Sequence, residues 1–171
     1  MKQILTMVFA AVLLLSGFNA DAQNKARRKS FSSWENYEIA IEKVGTPGTK
    51  FVKVWGFGKN VDAAVMAAKM NAVHACIFRG IPASTTAMAT PPICSHPDAL
   101  TSNQDYFEDF FSEGGPYLAY INMTTDGVPS GTDNRKVKGG YKVAIYVQVL
   151  YDNLKKKLEN DGIVRGLSDG F

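Results

Sequence analysis

Residues 50–80 read KFVKVWGFGKNVDAAVMAAKMNAVHACIFRG, a strand, a Gly-x-Gly turn and an Ala-rich helix in direct succession. Phe51, Val52, Val54, Trp55 and Phe57 are β-branched or aromatic and suit a pleated surface. Gly56 and Gly58 free the backbone for a sharp turn, and Asp62 follows where a helix start favours an anion. No Pro or Gly interrupts residues 61–79. At about 100° per residue, Met66, Met70, Val73 and Ile77 form one stripe, expected to be the buried face. Ala63, Ala64, Ala67, Ala68, Ala72 and Ala75 flank it, so a neighbour is able to approach closely. The stretch specifies a fold unit and no chemistry.

The rest of the chain supplies partners for that unit. Residues 37–44 alternate, with Tyr37, Ile39 and Ile41 on one side, and Thr46-Pro47-Gly48-Thr49 is a turn, so a hairpin leads into residues 50–58. Pro82 stops the helix, and residues 82–102, with Pro91, Pro92 and Pro97, make a long loop. Residues 103–113 read as a short helix burying Phe107, Phe110 and Phe111, with Asp105, Glu108, Asp109 and Glu113 on a solvated face. Residues 117–123 read as a third strand, 124–140 as a polar connection, and 141–151 as a strand with Val143, Ile145, Val147 and Val149 on one side. Asp152 is expected to cap a helix over 153–159, and a tail with Leu167 and Phe171 follows. The order β-β-α-loop-β-β-α predicts an α+β domain. It has a mostly antiparallel four-stranded sheet and two main helices on one face. The runner-up is a parallel α/β fold, which the turn at Pro47-Gly48 counts against.

The first 22 residues have the pattern of a secretory signal: Lys2, an apolar run over 4–15, then Ala20-Asp21-Ala22. Cleavage is expected before Gln23, giving a periplasmic or secreted protein. Residues 23–33 form a basic flexible arm with Lys25, Arg27, Arg28 and Lys29, and residues 34–171 a single domain. The formal net charge of +3 over 171 residues is too mild to argue for a nucleic-acid partner. Beyond the signal no transmembrane segment is expected.

Motifs for chemistry are sparse. Gly56-x-Gly-Lys59 lacks the spacing of a phosphate loop, and residues 127–131 do not match a nucleophile elbow. His74-x-Cys76 and Cys94-x-His96 bring four metal-type residues into the chain. Residues two apart on a helix point about 200° from each other, which counts against a shared zinc. A disulfide between Cys76 and Cys94 is the simplest reading for an exported protein; free thiols, a metal site and a Cys–His nucleophile are the alternatives. No catalytic residue, metal or cofactor is assigned.

What remains is a surface. If Val52 and Val54 face the helices, then Phe51, Lys53, Trp55 and Phe57 face away. Tyr146 joins them with Lys142 and Gln148, and Tyr120 does so with Leu118 and Asn122. Trp55, Phe57, Tyr120 and Tyr146 are therefore the candidate binding residues, unless the arm or the tail covers them.

The run from Gly56 through Lys59-Asn60 to Asn71-Ala72-Val73, with Ala64, Ala67 and Ala68, resembles a known strand-turn-helix. It is that of the LPP-type outer-membrane lipoprotein family, which includes domains similar to the amino-terminal part of a flagellar T-ring protein. Residues 141–162 fit the same family's apolar strand, polar turn and Leu-x-x-x-Leu helix. The whole chain is similar to small exported proteins of Gram-negative gut bacteria. The resemblance implies an envelope protein with a compact α+β domain, and it brings no catalytic residue. No Cys sits near the cleavage site, so the lipid anchor of that family is not expected. The expected function is a binding or structural module of the cell envelope, contacting a protein or glycan through the aromatic face. The alternative is a small hydrolase-like enzyme with its site under the loop 82–102.

Overall fold

Strands β1 (Ile39–Lys43) and β2 (Lys50–Gly58) form the expected hairpin. Its turn closes through Thr49 N–H donating to Thr46 O at 2.9 Å, with Gly48 at φ 78°. The structure, a computed structural model, describes residues 37–43, 45–124 and 128–165. The signal, the basic arm and the tail docking residues Leu167 and Phe171 lie outside the described residues.

Helix α1 (Val61–His74) follows β2 and continues through one wide turn, Ala75–Arg79. Asn60 caps it, its side-chain oxygen accepting from Ala63 N–H at 2.8 Å. The face set against the sheet is the alanine one: Ala64, Ala68, Ala72 and Ala75 have no exposure, and Val73 and Ile77 are buried on the far side. Met66 and Met70 are only half-buried, so the expected buried stripe is corrected at its N-terminal half. The reason lies in β2. A Cβ on Gly56 would overlap Ala64 O and Ala68 N, and one on Gly58 would overlap Ala64 N. The helix rests on bare main chain, and methionine is too large for that gap. Val61–Arg79 has the length and hydropathy of a membrane-crossing helix, but here its small-residue side is closed by β2.

The chain then doubles back. Ile81 and Thr90 exchange two backbone hydrogen bonds of 2.8 Å, and Ile93 and Cys94 N–H donate to Cys76 O and Ile77 O. The long loop thus caps the last carbonyls of the α1 extension. Helices α2 (Ala99–Ser102) and α3 (Gln104–Phe110) bring Phe107, Phe110 and Phe111 into burial, with Phe107 edge-on to Phe78 at 4.7 Å. A single-turn 3-10 helix, Pro116–Tyr120, adds buried Tyr117 beside Phe111.

Strand β3 (Ile121–Met123) is shorter than expected because Pro116 starts that helical turn and Tyr117 is drawn into the aromatic cluster. Strand β4 (Asn134–Val137) lies inside the stretch read as a polar connection, and forms a hairpin with β5 (Gly140–Val149) across Gly139 at φ 89°. Strand β5 pairs antiparallel with β2 along their whole length, from Lys50↔Val149 to Gly58↔Tyr141. The sheet order is β1-β2-β5-β3, with β4 sharing the outer edge of β5. The expected α+β fold with an antiparallel sheet is therefore present, and β4 is its addition. Helix α4 (Tyr151–Asn160) buries Leu154 and Leu158. It begins two residues before the expected start, so Asp152 lies in its first turn and does not cap it.

Candidate functional site

The pleat sorts the two sides of β2 and β5. Val52, Val54, Val143, Ile145, Val147 and Val149 have no exposure on the α1 side. Phe51, Lys53, Trp55, Phe57, Lys142, Tyr146 and Gln148 occupy the other. Phe57 is 54% exposed and the others are half-buried. Three of the four candidate binding residues, Trp55, Phe57 and Tyr146, thus share one face. Tyr120 does not join them. It lies in the 3-10 turn and stacks on Phe110, centroids 6.1 Å apart, within the aromatic cluster of the helical layer.

The aromatic groups are interleaved with cations. Phe51 and Tyr146 stack at 6.3 Å and 23°, and Lys43 Nζ lies 4.7 Å from the Phe51 centroid. Three cations converge on Trp55: Lys142 Nζ at 5.1 Å, Arg135 Cζ at 5.4 Å and Lys53 Nζ at 5.7 Å. Arg135 belongs to β4, so this approach spans β5, and the β5 residue opposite Trp55 is Ala144. With strands about 4.8 Å apart, a small side chain at that position leaves the indole and guanidinium room to meet.

Two carboxylates answer the cations. Lys142 Nζ donates to Glu38 Oε1 at 2.6 Å, and Lys53 Nζ lies 2.8 Å from Asp133 Oδ1, an ion pair without hydrogen-bond alignment. Lys53 is also 4.9 Å from the Tyr146 centroid. Asp133, and after it Tyr146, holds the Lys53 ammonium above its ordinary pKa. Arg135 Nε–H donates to Thr132 O at 2.9 Å, fixing the root of the guanidinium. Arg135 and Asp133 were missed in the sequence because residues 124–140 are polar and Gly-rich. The available signal was Arg135 in a short run ahead of the Gly139-Gly140 turn.

The thiol and imidazole groups lie elsewhere. Cys76 and Cys94 are both free, which corrects the expected disulfide. The loop does return to the helix end, but it does so by main-chain bonding, which sets Cys94 against Ile77 O rather than against the Cys76 side chain. Burial pushes the Cys76 thiol up to about 12 and Cys94 to about 11, so neither is a thiolate at neutral pH. His74 Nδ1 is 2.8 Å from the Tyr37 hydroxyl, and burial, then the Arg79 charge, lower its pKa to about 4. His96 is exposed in the loop. Among the described residues no three His, Cys, Asp or Glu side chains converge as metal ligands would.

Chemically, this sheet face offers flat apolar area, fixed cations and two acceptor carboxylates. Compared with known proteins, the chain matches no family model, no curated protein and no solved structure.

Proposed function

We propose that the protein is an exported binding or structural module of the cell envelope, engaging its partner through the sheet face opposite α1. The observation that carries this reading is the set Phe51, Trp55, Phe57 and Tyr146 on one face, with Phe57 more than half exposed. Aromatic side chains supply large contact area at low entropic cost, and they dominate binding energy where they cluster. The face is also supported from behind. Asn71 of α1 donates to Trp55 O at 2.9 Å, holding the strand that presents the row. The envelope setting rests on the signal pattern and on the family resemblance.

The test is capture from envelope extracts on the immobilised protein, compared with Phe57→Ala. Loss of an exposed aromatic anchor is expected to weaken capture by about tenfold or more. The urea midpoint should shift by less than about 0.5 kcal/mol equivalent, as for an exposed site. Unchanged capture by both Phe57→Ala and Trp55→Ala would remove this face from the function.

A further inference from the structure

We infer that the partner of this face is an acidic glycan, with a sugar carboxylate seated among Lys53, Arg135 and Lys142 around Trp55. The inference rests on the reading of the sheet face as a binding surface and names its ligand class. Three positive side chains gathered within 5.1–5.7 Å of one indole repel one another. Glu38 and Asp133 are the carboxylates paired with Lys142 and Lys53. Arg135 donates to the backbone carbonyl of Thr132, so among the described residues the three cations and two carboxylates of this cluster leave one positive charge in excess. An added carboxylate offsets that excess, and a guanidinium is the group best shaped to grip it.

The rest of the face selects among polyanions. A single-stranded nucleic acid needs a succession of open aromatic planes for its bases, whereas Trp55, Phe51 and Tyr146 are each already faced by the chain's own cations and Phe57 alone of this row is more than half exposed. A uronic-acid polymer needs no such succession and brings hydroxyl donors as well as carboxylates. Its ring hydroxyls donate to Glu38 and Asp133, its carboxylates meet Arg135 and the lysines, and an apolar ring face lies on the exposed Phe57. An acidic peptide has the charge but lacks the dense hydroxyls for the carboxylates.

The experiment is affinity electrophoresis and calorimetry of the purified protein with polygalacturonate, with neutral dextran, oligo(dT) and polyglutamate as comparisons. Polygalacturonate is expected to bind, and dextran not. Raising salt above about 0.15 M should weaken the binding, since exposed charges are then screened. Arg135→Gln should lower affinity about tenfold, the usual scale for a charge-assisted bond, while Arg135→Lys, which keeps the charge but loses the planar fork, should fall between wild type and Arg135→Gln. The thermal midpoint of both variants reports that the fold is kept. Equal binding of dextran, or no effect of Arg135→Gln, overturns the acidic-glycan assignment and leaves the aromatic face to be judged by Phe57→Ala. Tighter binding of oligo(dT) or polyglutamate overturns it in favour of that polyanion. Failure to bind polygalacturonate at all overturns it outright.

Discussion

Replacing Gly56 with alanine puts a methyl carbon where Ala64 O and Ala68 N already lie. Both obstacles are main chain of α1, so neither yields by a rotamer change. Overpacking of this kind costs about 1–3 kcal/mol, and Gly56→Ala is expected at the upper end in urea unfolding. A loss under about 0.5 kcal/mol would mean that helix and strand are less closely set than described. His74 makes a second residue-scale case. Its pKa falls from 6.5 unfolded to about 4 folded, mainly through burial and then through Arg79. The unfolded chain therefore binds the extra proton first. The contribution is complete above pH 6.5 and is lost as pH falls through the window down to about 4. Among the described groups, the Tyr37 hydroxyl 2.8 Å from Nδ1, Arg79 and the rings of Phe78 and Phe111 face this imidazole, and these four carry no negative charge. Between pH 7 and pH 4 the wild type should lose on the order of 3 kcal/mol through this group, and His74→Gln should show a shallower slope. Equal slopes in urea titrations at the two pH values would count against it.

At the scale of elements, thiol chemistry is the sharpest check. The loop 82–98 is anchored by Ile81–Thr90 pairing and by the bonds from Ile93 and Cys94 to the helix end, so it needs no covalent tie. Denatured under non-reducing conditions, the protein should titrate with two thiols per chain, one each from Cys76 and Cys94. In the folded state both should react slowly, being buried and protonated. Zero thiols in freshly isolated material would restore the disulfide. The elements that were legible in the sequence are those whose causes are local. Pro47-Gly48 sets the first turn, the alternation of β2 and β5 sets their faces, and Pro82 stops α1. What was not legible depended on partners distant in the chain. Tyr117 has strand character, but the buried Phe111 cluster claims it for a 3-10 turn. Tyr120 followed it off the sheet face. The Met66/Met70 stripe has the residue sizes of a core, but Gly56 and Gly58 of β2 bring the first half of α1 too close for methionine, a distant cause that periodicity does not carry.

For the molecule as a whole, β2 and β5 form the centre, and residues nearly a hundred positions apart must meet before the sheet exists. Such non-local pairing is slow to form and, once formed, is the last to open. Hydrogen exchange should therefore find the slowest amides in Val52, Val54, Ile145 and Val147, exchanging at the global unfolding free energy. The amides of β3 and β4 should exchange through smaller openings, since each is short and lies at one edge. Uniform protection across all five strands would contradict that hierarchy. The same hierarchy separates the site's parts: Trp55 and Tyr146 stand on the slow core, while Arg135 is delivered by a peripheral hairpin.

The bare contact between β2 and α1 also has a consequence for how this chain is able to vary over generations. Gly56 and Gly58, with Ala64 and Ala68 facing them, can give up nothing and accept nothing larger, because each is already as small as its place demands. A saturation library should lose nearly every substitution at those four positions. At Met66 and Met70, about half a turn round the same helix, it should keep most of them. Drift would then accumulate on the solvent side of α1, while a short Gly-x-Gly and Ala-x-x-x-Ala signature stays fixed in the lineage.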